Sequence, residues 1–541
     1  MEAGAPPAPH PLRWRGVVIS AAVALVNLAQ SAVPAAPPVP RDAAAVAVFV
    51  QPGTPQPAGR IDELTFAQLA RLGLPPAPLC SDAVFVRRAF LDVIGTLPTA
   101  AEARAFLGDK SPDKRAVLID RLLARPEFAD YWAMKWSDLL RVKAEFPINL
   151  WPNAAQAYYR WIHTAVRDNL PYDRFARELL TANGSNFRIG PVNFYRAVQS
   201  REPAALARTV ALTFLGARAE KWPADRLAAC APFFARLGYK GTGEWKEEIV
   251  FFDPSKPLPA GLAPAFPDGS PAVLPPDRDP REVFADWLIR PENPWFTRAI
   301  ANRAWSWLLG RGLVHEPDDL RPDNPPVNAA LLDHLAAELV AAHYDLRQLF
   351  RLILNSRTYQ LSSLPTADPV AEDNFAGYAP RRLEAEVLID AINQITGTTE
   401  KYSSAIPEPF TFVPEDQRSI ALPDGSITSS FLENFGRPGR DTGLESERNN
   451  RLTASQRLHL LNSTQIQRKL EQGPKLQQLF RQNTGPGGAV DALYFTFLSR
   501  PPTDDERVEV LAYFLEHKDQ RAAGNDVAWA LLNSAEFLLR H

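Results

Sequence analysis

Apolar side chains recur at three- and four-residue spacing through most of the chain, which is the pattern of helices with one buried face. Phe128, Trp132 and Trp136, for example, stand four residues apart after Pro126, which favours a helix start at that proline. A preceding helix is predicted with Ser111 as its N-cap. Further helices are predicted over residues 282–289, 296–309, 329–354, 381–396, 455–472, 489–498 and 504–541. The pattern therefore indicates a mainly α, multi-helical fold.

This helical pattern stops between residues 254 and 280, where nine of the 51 prolines fall. Proline lacks the backbone N–H and fixes φ, so a regular helix is not expected there. We therefore predict two packed helical domains, 61–253 and 281–541, with a Pro-rich linker or long surface loop at 254–280. Residues 398–450 are polar and weakly periodic, which favours long loops with room for a short hairpin.

The start of the chain has the pattern of an export signal. Two arginines precede an apolar stretch over 16–28, and small residues follow it up to Ala36. The stretch is shorter than the roughly 20 residues that span a bilayer, which favours a cleaved signal peptide over 1–36 against an uncleaved anchor. An Ala/Pro-rich spacer is predicted over 37–60. We expect a periplasmic or secreted protein with no transmembrane span in the mature chain.

Composition removes several classes of function. The 59 basic and 62 acidic side chains give a net charge of −3, so no basic excess for nucleic-acid binding exists, and no nucleic-acid partner is expected. Two cysteines, Cys80 and Cys230, are too few for a disulfide framework, a four-cysteine zinc site or an iron–sulfur cluster. Whether they pair with each other stays open. The sequence contains no phosphate-binding loop, dinucleotide fingerprint or nucleophile elbow.

A short pattern occurs both early and late in the chain. Thr99 and Glu102 follow a proline in the first copy, and Thr503 and Glu506 follow one in the second. Threonine three residues before glutamate is the spacing of a capping box at a helix start. Both copies are predicted as two helices joined by this turn and ending before a Glu-Phe pair.

Several motifs resemble known families. "FVRRAFLDVIGTLPTAAEARAFLGD" and "KRAVLIDRLLARPEFADYWAMKWSDLLR" are similar to domain of unknown function 1549. "FADWLIRPENPWFTRAIANRAWSWLLGRGLVHEPDDLR" and "RRLEAEVLIDAINQITG" are similar to domain of unknown function 1553. The resemblance implies a secreted protein of the planctomycete type, in which the two domains occur together. It implies no established biochemical activity.

The same resemblance implies a Cys-x-x-Cys-His element for covalent c-type haem, placed after a Phe-Leu-Gly helix end. In this chain Phe214, Leu215 and Gly216 are followed by residues 217–222, which contain neither Cys nor His. We therefore predict no covalent haem and no other cofactor. A redox protein with noncovalent haem stays as a third hypothesis for the function.

Candidate acid–base residues lie in two places. His315, Asp318 and Asp319 share a loop that could bind a divalent cation or exchange protons. The favoured interpretation is that the aspartates cap a turn and pair with Arg311 or Arg321. No two histidines have metal-ligand spacing, so no metal site is predicted.

Glu386 lies four residues before Asp390 on the predicted helix 381–396, with Arg382 one turn earlier. The two carboxylates could form a hydrolase pair. The alternative is a stripe of helix ion pairs.

A glycine-rich loop carries Arg437, Arg440 and Arg448, whose guanidinium groups could clamp a carboxylate, sulfate or phosphate. The alternative is that they fasten the loop to acidic helices. The leading hypothesis is a binding or assembly component for an extracytoplasmic partner or an anionic glycan. A carboxylate-dependent polysaccharide hydrolase or lyase is the alternative if these arginines and the 315–323 loop converge on one pocket, so whether the protein is an enzyme stays open.

Overall fold

The computed structural model describes residues 48–259, 261–363, 368–483 and 485–541. The predicted signal peptide over 1–36, and the predicted spacer up to residue 47, lie outside these ranges. The described residues are mainly helical, which confirms the predicted fold class.

The first half of the chain contains helices, short strands and helical turns. The helices are α1 (Arg60–Arg71), α2 (Asp82–Ile94), α3 (Ala100–Gly108), α4 (Lys114–Leu123), α5 (Pro126–Leu139), α6 (Pro152–Arg167), α7 (Tyr172–Thr181), α8 (Pro203–Val210) and α9 (Ala224–Cys230). Strands β1 (Gly184–Ser185), β2 (Leu237–Gly241) and β3 (Glu248–Phe252) form an antiparallel sheet in the order β1-β3-β2. These strands are too short to produce a visible two-residue alternation in the sequence.

Helices of the second half are α10 (Pro280–Leu288), α11 (Pro294–Leu309), α12 (Ala329–Ala341), α13 (Leu346–Asn355), α14 (Pro369–Asp373), α15 (Ala385–Thr396), α16 (Ser430–Asn434), α17 (Ala454–Asn462), α18 (Thr464–Gln472), α19 (Pro474–Gln482), α20 (Pro486–Leu498), α21 (Asp504–Glu516), α22 (Gln520–Leu532) and α23 (Ala535–Leu538). Strand β4 (Arg381–Arg382) pairs antiparallel with β5 (Leu539–Arg540). The described part of 254–279 contains neither helix nor strand, as its proline density predicts.

Several local predictions need correction. The predicted helix 455–472 is divided into α17 and α18, and 504–541 is divided into α21, α22, α23 and β5. Ser111 is not a cap: α4 begins at Lys114, and the Ser111 hydroxyl donates to the carboxylate of Asp109 at 2.6 Å. The predicted helix 329–354 is broken, because His343 and Tyr344 adopt φ values of 53° and 62° between α12 and α13.

The start of the predicted helix 381–396 is also different. Arg382 lies in β4 rather than on the helix, since pairing with the end of the chain takes this segment into a strand. The helix begins at Ala385, with Glu384 as its N-cap residue. Glu386 therefore lies in the first helical turn, and Asp390 one turn later.

One contiguous core runs through both predicted domains. The Trp132 ring of α5 lies 5.3 Å from the Trp307 ring of α11 and 4.3 Å from the Phe350 ring of α13, measured between centroids. Aromatic contacts of this kind add to the apolar area they bury. The two halves are thus packed against each other through large rings.

Both predicted capping boxes are present. The Thr503 hydroxyl accepts from the N–H of Glu506 at 3.2 Å, and the Glu506 carboxylate accepts from the N–H of Thr503 at 2.8 Å. Thr99 and Glu102 repeat this exchange. In the second copy Arg500 then bridges the capping glutamate to a later one, with nitrogen–oxygen distances of 2.7 Å on each side.

Replacement of Thr503 by alanine is expected to lower the free energy of unfolding by about 1 kcal/mol, because the N–H of Glu506 loses its acceptor. Urea unfolding followed by circular dichroism measures the change. Val508→Ala, at an exposed position on the same helix, is the matched control and should change it little. Equal effects of the two variants would contradict the cap.

Candidate functional site

The three arginines of the glycine-rich loop lie buried and converge on two carboxylates. Arg448 binds Glu386 with both terminal nitrogens, at 2.7 and 3.0 Å. It also donates to Asp138 at 2.7 Å, and the Nε of Arg440 donates to the other oxygen of Asp138 at 2.9 Å. Arg437 Nε lies 3.5 Å from Glu386. These five residues are called the Arg–carboxylate cluster below.

Burial and charge oppose each other in this cluster. Burial disfavours the ionised form of Glu386, but the guanidinium groups of Arg448 and Arg437 together outweigh it and lower the pKa of Glu386 to about 2. Burial also acts on Arg437, where it lowers the pKa to about 10. Asp138 and Glu386 have the opposite effect on Arg448 and outweigh burial, so the pKa of Arg448 is raised well above its usual value. Glu386, Arg437 and Arg448 are therefore ionised at neutral pH.

The carboxylates of the cluster come from distant parts of the chain. Asp138 lies in the last turn of α5, and Glu386 in the first turn of α15. The loop with the arginines thus joins a helix of each predicted domain. Of the two interpretations of this loop, the contacts match the fastening of the loop to acidic helices. Asp138 is hidden in the sequence, because Lys135 and Arg141 have the spacing of local partners, whereas its actual partners Arg440 and Arg448 lie some 300 positions later.

The acidic loop has its own partners. Asp318 is fully buried, 2.8 Å from Arg303, and it accepts from the backbone N–H of Glu445 at 2.6 Å. Asp319 pairs with Lys221 at 2.7 Å and with Arg321 at 2.9 Å. Burial opposes the ionised form of Asp319, but Lys221 and Arg321 outweigh it and lower its pKa.

His315 lies apart from these ion pairs. Its side chain is exposed, and its backbone carbonyl accepts from the Asn324 amide at 3.0 Å. Among the described residues, no group of three or more His, Cys, Asp and Glu side chains is placed to hold a metal ion.

The segment after Gly216, where the family resemblance leads one to expect the haem element, packs on this acidic loop. Arg218 pairs with Glu316 at 3.1 Å, and Lys221 with Asp319. The carbonyl of Gly216 accepts from the N–H of Leu320 at 2.8 Å. In this chain the segment is held by ion pairs to the loop.

A residue of the glycine-rich loop joins the Arg–carboxylate cluster to the acidic loop. Their link is Glu445, whose N–H binds Asp318 and whose carboxylate accepts from the indole N–H of Trp307 at 3.1 Å. Burial raises the pKa of Glu445. A cleft of about 270 Å³ lies elsewhere, between α19 and α22, and is lined by residues such as Phe480 and Arg521.

A second buried network joins the last strand to the first half of the chain. Asp92 accepts from Arg381 and Arg540, both at 3.0 Å. Glu384 pairs with Arg540 and, at 2.8 Å, with Lys135. Burial raises the pKa of Glu384, but Arg540 and Lys135 outweigh it and hold that pKa well below the usual range.

The two cysteines are free and buried. The Cys230 thiol donates to the carbonyl of Ala265 at 3.6 Å, and burial raises its pKa to about 12. Cys80 lies in the core cluster just before α2, and its sulfur accepts from a guanidinium nitrogen of Arg115 at 3.9 Å. The raised pKa of Cys230 means that this thiol is not poised as a nucleophile.

Fold and site together define a helical protein whose two halves are held by buried ion pairs. Residues 60–220 match the family model PSCyt2, described as a protein of unknown function (DUF1549). Residues 280–514 match PSD1, described as a protein of unknown function (DUF1553). The matches cover most of the chain, so it belongs to the proteins that pair these two domains. No curated protein and no solved structure matches.

None of the helices in the described ranges has the length and hydropathy that crossing a membrane requires.

Proposed function

We propose that the protein is a periplasmic or secreted component that binds an anionic glycan without cleaving it. The observation that carries the proposal is a set of large aromatic rings exposed on loops. Phe146, Trp245 and Phe412 are 79%, 71% and 69% exposed, whereas Trp132 of the core is 2% exposed. Exposed rings offer flat apolar faces, and such faces suit the C–H side of a sugar ring.

The pairing of the acidic candidates argues for binding rather than hydrolysis. A general acid needs a pKa near the working pH, so that it can hold and release a proton. Arg448 lowers the pKa of Glu386 against the effect of burial, and Lys221 does the same for Asp319. Both carboxylates therefore stay ionised and paired, which suits a structural role.

The predicted export signal supports a location outside the cytoplasm, where extracellular polysaccharides are the available glycans. The three loop arginines are not assigned to the ligand, because Glu386 and Asp138 already occupy them. The exposed rings take that role instead.

Affinity electrophoresis of the full chain in gels containing sulfated, carboxylated or neutral polysaccharides tests the proposal. We expect retardation by at least one anionic polysaccharide, and the same retardation for Asp319→Asn. Asp319→Asn removes a candidate acid at a place distant in sequence from the exposed rings. If no glycan retards the wild-type protein and a stable protein partner co-purifies with it, the glycan-binding proposal fails and the protein is an assembly component.

A further inference from the structure

Three loops of the described chain meet at one surface. They are residues 143–151 before α6, the hairpin turn 242–247 between β2 and β3, and residues 404–413. The Glu145 carboxylate accepts from the N–H of Ala405 at 3.0 Å and from the hydroxyl of Ser404 at 3.3 Å. The first and third loops are thus hydrogen-bonded to each other.

Aromatic rings and a lysine connect all three loops. The rings of Trp151 and Phe410 lie 5.3 Å apart between centroids. The ammonium nitrogen of Lys246 lies 6.0 Å from the centroid of Trp151 and 5.3 Å from that of Trp245. We call Trp151, Trp245, Lys246 and Phe410 the aromatic platform. Within it, the lysine charge is placed beside two indole faces.

Three of the four platform residues face solvent, and Trp151 is half-buried between them and the core. Phe410 is 52% exposed, and Trp245 and Lys246 are exposed at the tip of the hairpin turn. Phe146 and Phe412 stand on the same two loops as Trp151 and Phe410. Apolar groups grouped in this way at a surface mark binding sites more often than single exposed residues do.

The backbone holds two platform residues in an unusual conformation. Trp151 has φ of 72° and Lys246 has φ of 64°, in the left-handed region that bulky side chains rarely adopt. The N–H of Trp151 donates to the carbonyl of Ala144 at 3.1 Å, and the carbonyl of Lys246 accepts from the Asn186 amide at 3.2 Å. Such conformations cost about 1–3 kcal/mol each and persist where the surrounding structure fixes them. The Trp151 and Lys246 backbones are therefore held in place before any ligand binds.

We infer that the aromatic platform is a glycan subsite in which Trp245, Trp151 and Phe410 stack on sugar rings and Lys246 binds a sulfate or carboxylate group. This inference rests on the proposed function and gives it a location. Lys246 forms no ion pair with any residue in the described ranges, so its charge is available to a ligand. An ammonium is a compact point charge that suits an oxyanion.

Surface chemistry favours a glycan over a protein partner. The turn that carries Trp245 also carries the exposed polar residues Thr242 and Glu244. Exposed polar groups on the same turn as Trp245 suit hydrogen bonds to the hydroxyls of a sugar chain. A protein hot spot instead needs a continuous apolar centre that excludes water.

The test uses the full chain with a sulfated galactan and its desulfated counterpart, titrated by calorimetry. Trp245→Ala is expected to weaken binding of both glycans by about tenfold or more, the equivalent of a single lost stacking contact. Lys246→Gln should weaken binding of the sulfated glycan by a similar factor and leave binding of the desulfated glycan nearly unchanged. Trp245→Phe should retain most of the affinity, because it keeps a ring.

Leu515→Ala removes an exposed apolar side chain from α21 and is the matched control, expected to bind as the wild type does. Thermal unfolding of each variant verifies its fold. If the wild type binds the galactan and both platform variants bind it equally well, the platform inference is overturned while the proposed function stands. If the wild type binds no glycan, the proposed function fails. If a protein partner co-purifies with the wild type but not with Trp245→Ala, the surface is a protein interface, and the inference is also overturned.

Discussion

Replacing Arg540 by methionine is expected to lower the free energy of unfolding by about 3–5 kcal/mol, the usual cost of removing one partner from a buried ion pair. Arg540 lies between the carboxylates of Asp92 and Glu384, and all three side chains are buried. Methionine fills part of the volume but leaves both carboxylates with one cation fewer. The penalty arises from those buried charges.

Urea unfolding monitored by tryptophan fluorescence measures this effect, because the core contains several buried indoles. Arg167→Met is the matched control, since Arg167 forms its ion pair with Asp168 at the surface, where such pairs contribute little. The midpoint of unfolding should shift for Arg540→Met and stay in place for Arg167→Met. Equal midpoints would show that Asp92 and Glu384 are satisfied without Arg540.

The second large effect concerns Glu386 and depends on pH. Burial disfavours the ionised form of Glu386, but Arg448 and Arg437 outweigh it and place its folded-state pKa at about 2, against an ordinary value of 4.5. A carboxylate with a lowered pKa stabilises the fold above its ordinary value, and that contribution is lost as the pH falls toward 2. The difference corresponds to about 3 kcal/mol.

Glu386→Gln is therefore expected to lower the free energy of unfolding by about 3 kcal/mol at pH 7 and by progressively less between pH 4.5 and pH 2. Urea unfolding at a series of pH values measures this difference. Glu63→Gln, which alters an exposed pair with Arg60, should follow the wild-type curve. A constant difference between Glu386→Gln and wild type across the whole pH series would contradict the ionised pair.

Local signals in the sequence predicted much of the fold. Pro126 starts α5, and the capping boxes at Thr99 and Thr503 start α3 and α21, because these effects act within one helical turn. The break at His343 was not visible, since the apolar spacing continues through it. Arg382 was predicted as helical, because its strand partner lies at the end of the chain.

The candidate site is also difficult to predict because its residues are far apart in the sequence. Arg440 and Arg448 were recognised as a group, but their partner Asp138 is some 300 positions away and no local spacing connects them. The exposure of individual aromatic side chains cannot be predicted from the sequence either. Trp132 and Trp245 are the same residue type, and only tertiary packing places one in the core and the other at the surface. The family resemblance, in contrast, was carried by whole motifs and is confirmed.

Reducing-end release during incubation with a retained polysaccharide measures whether the protein binds glycan without cleaving it. We expect the protein to bind the polysaccharide and the number of reducing ends to stay at the level of the protein-free sample. If the wild type releases new reducing ends and folded Asp319→Asn or Glu386→Gln does not, binding without cleavage is contradicted and the protein is a carboxylate-dependent hydrolase or lyase.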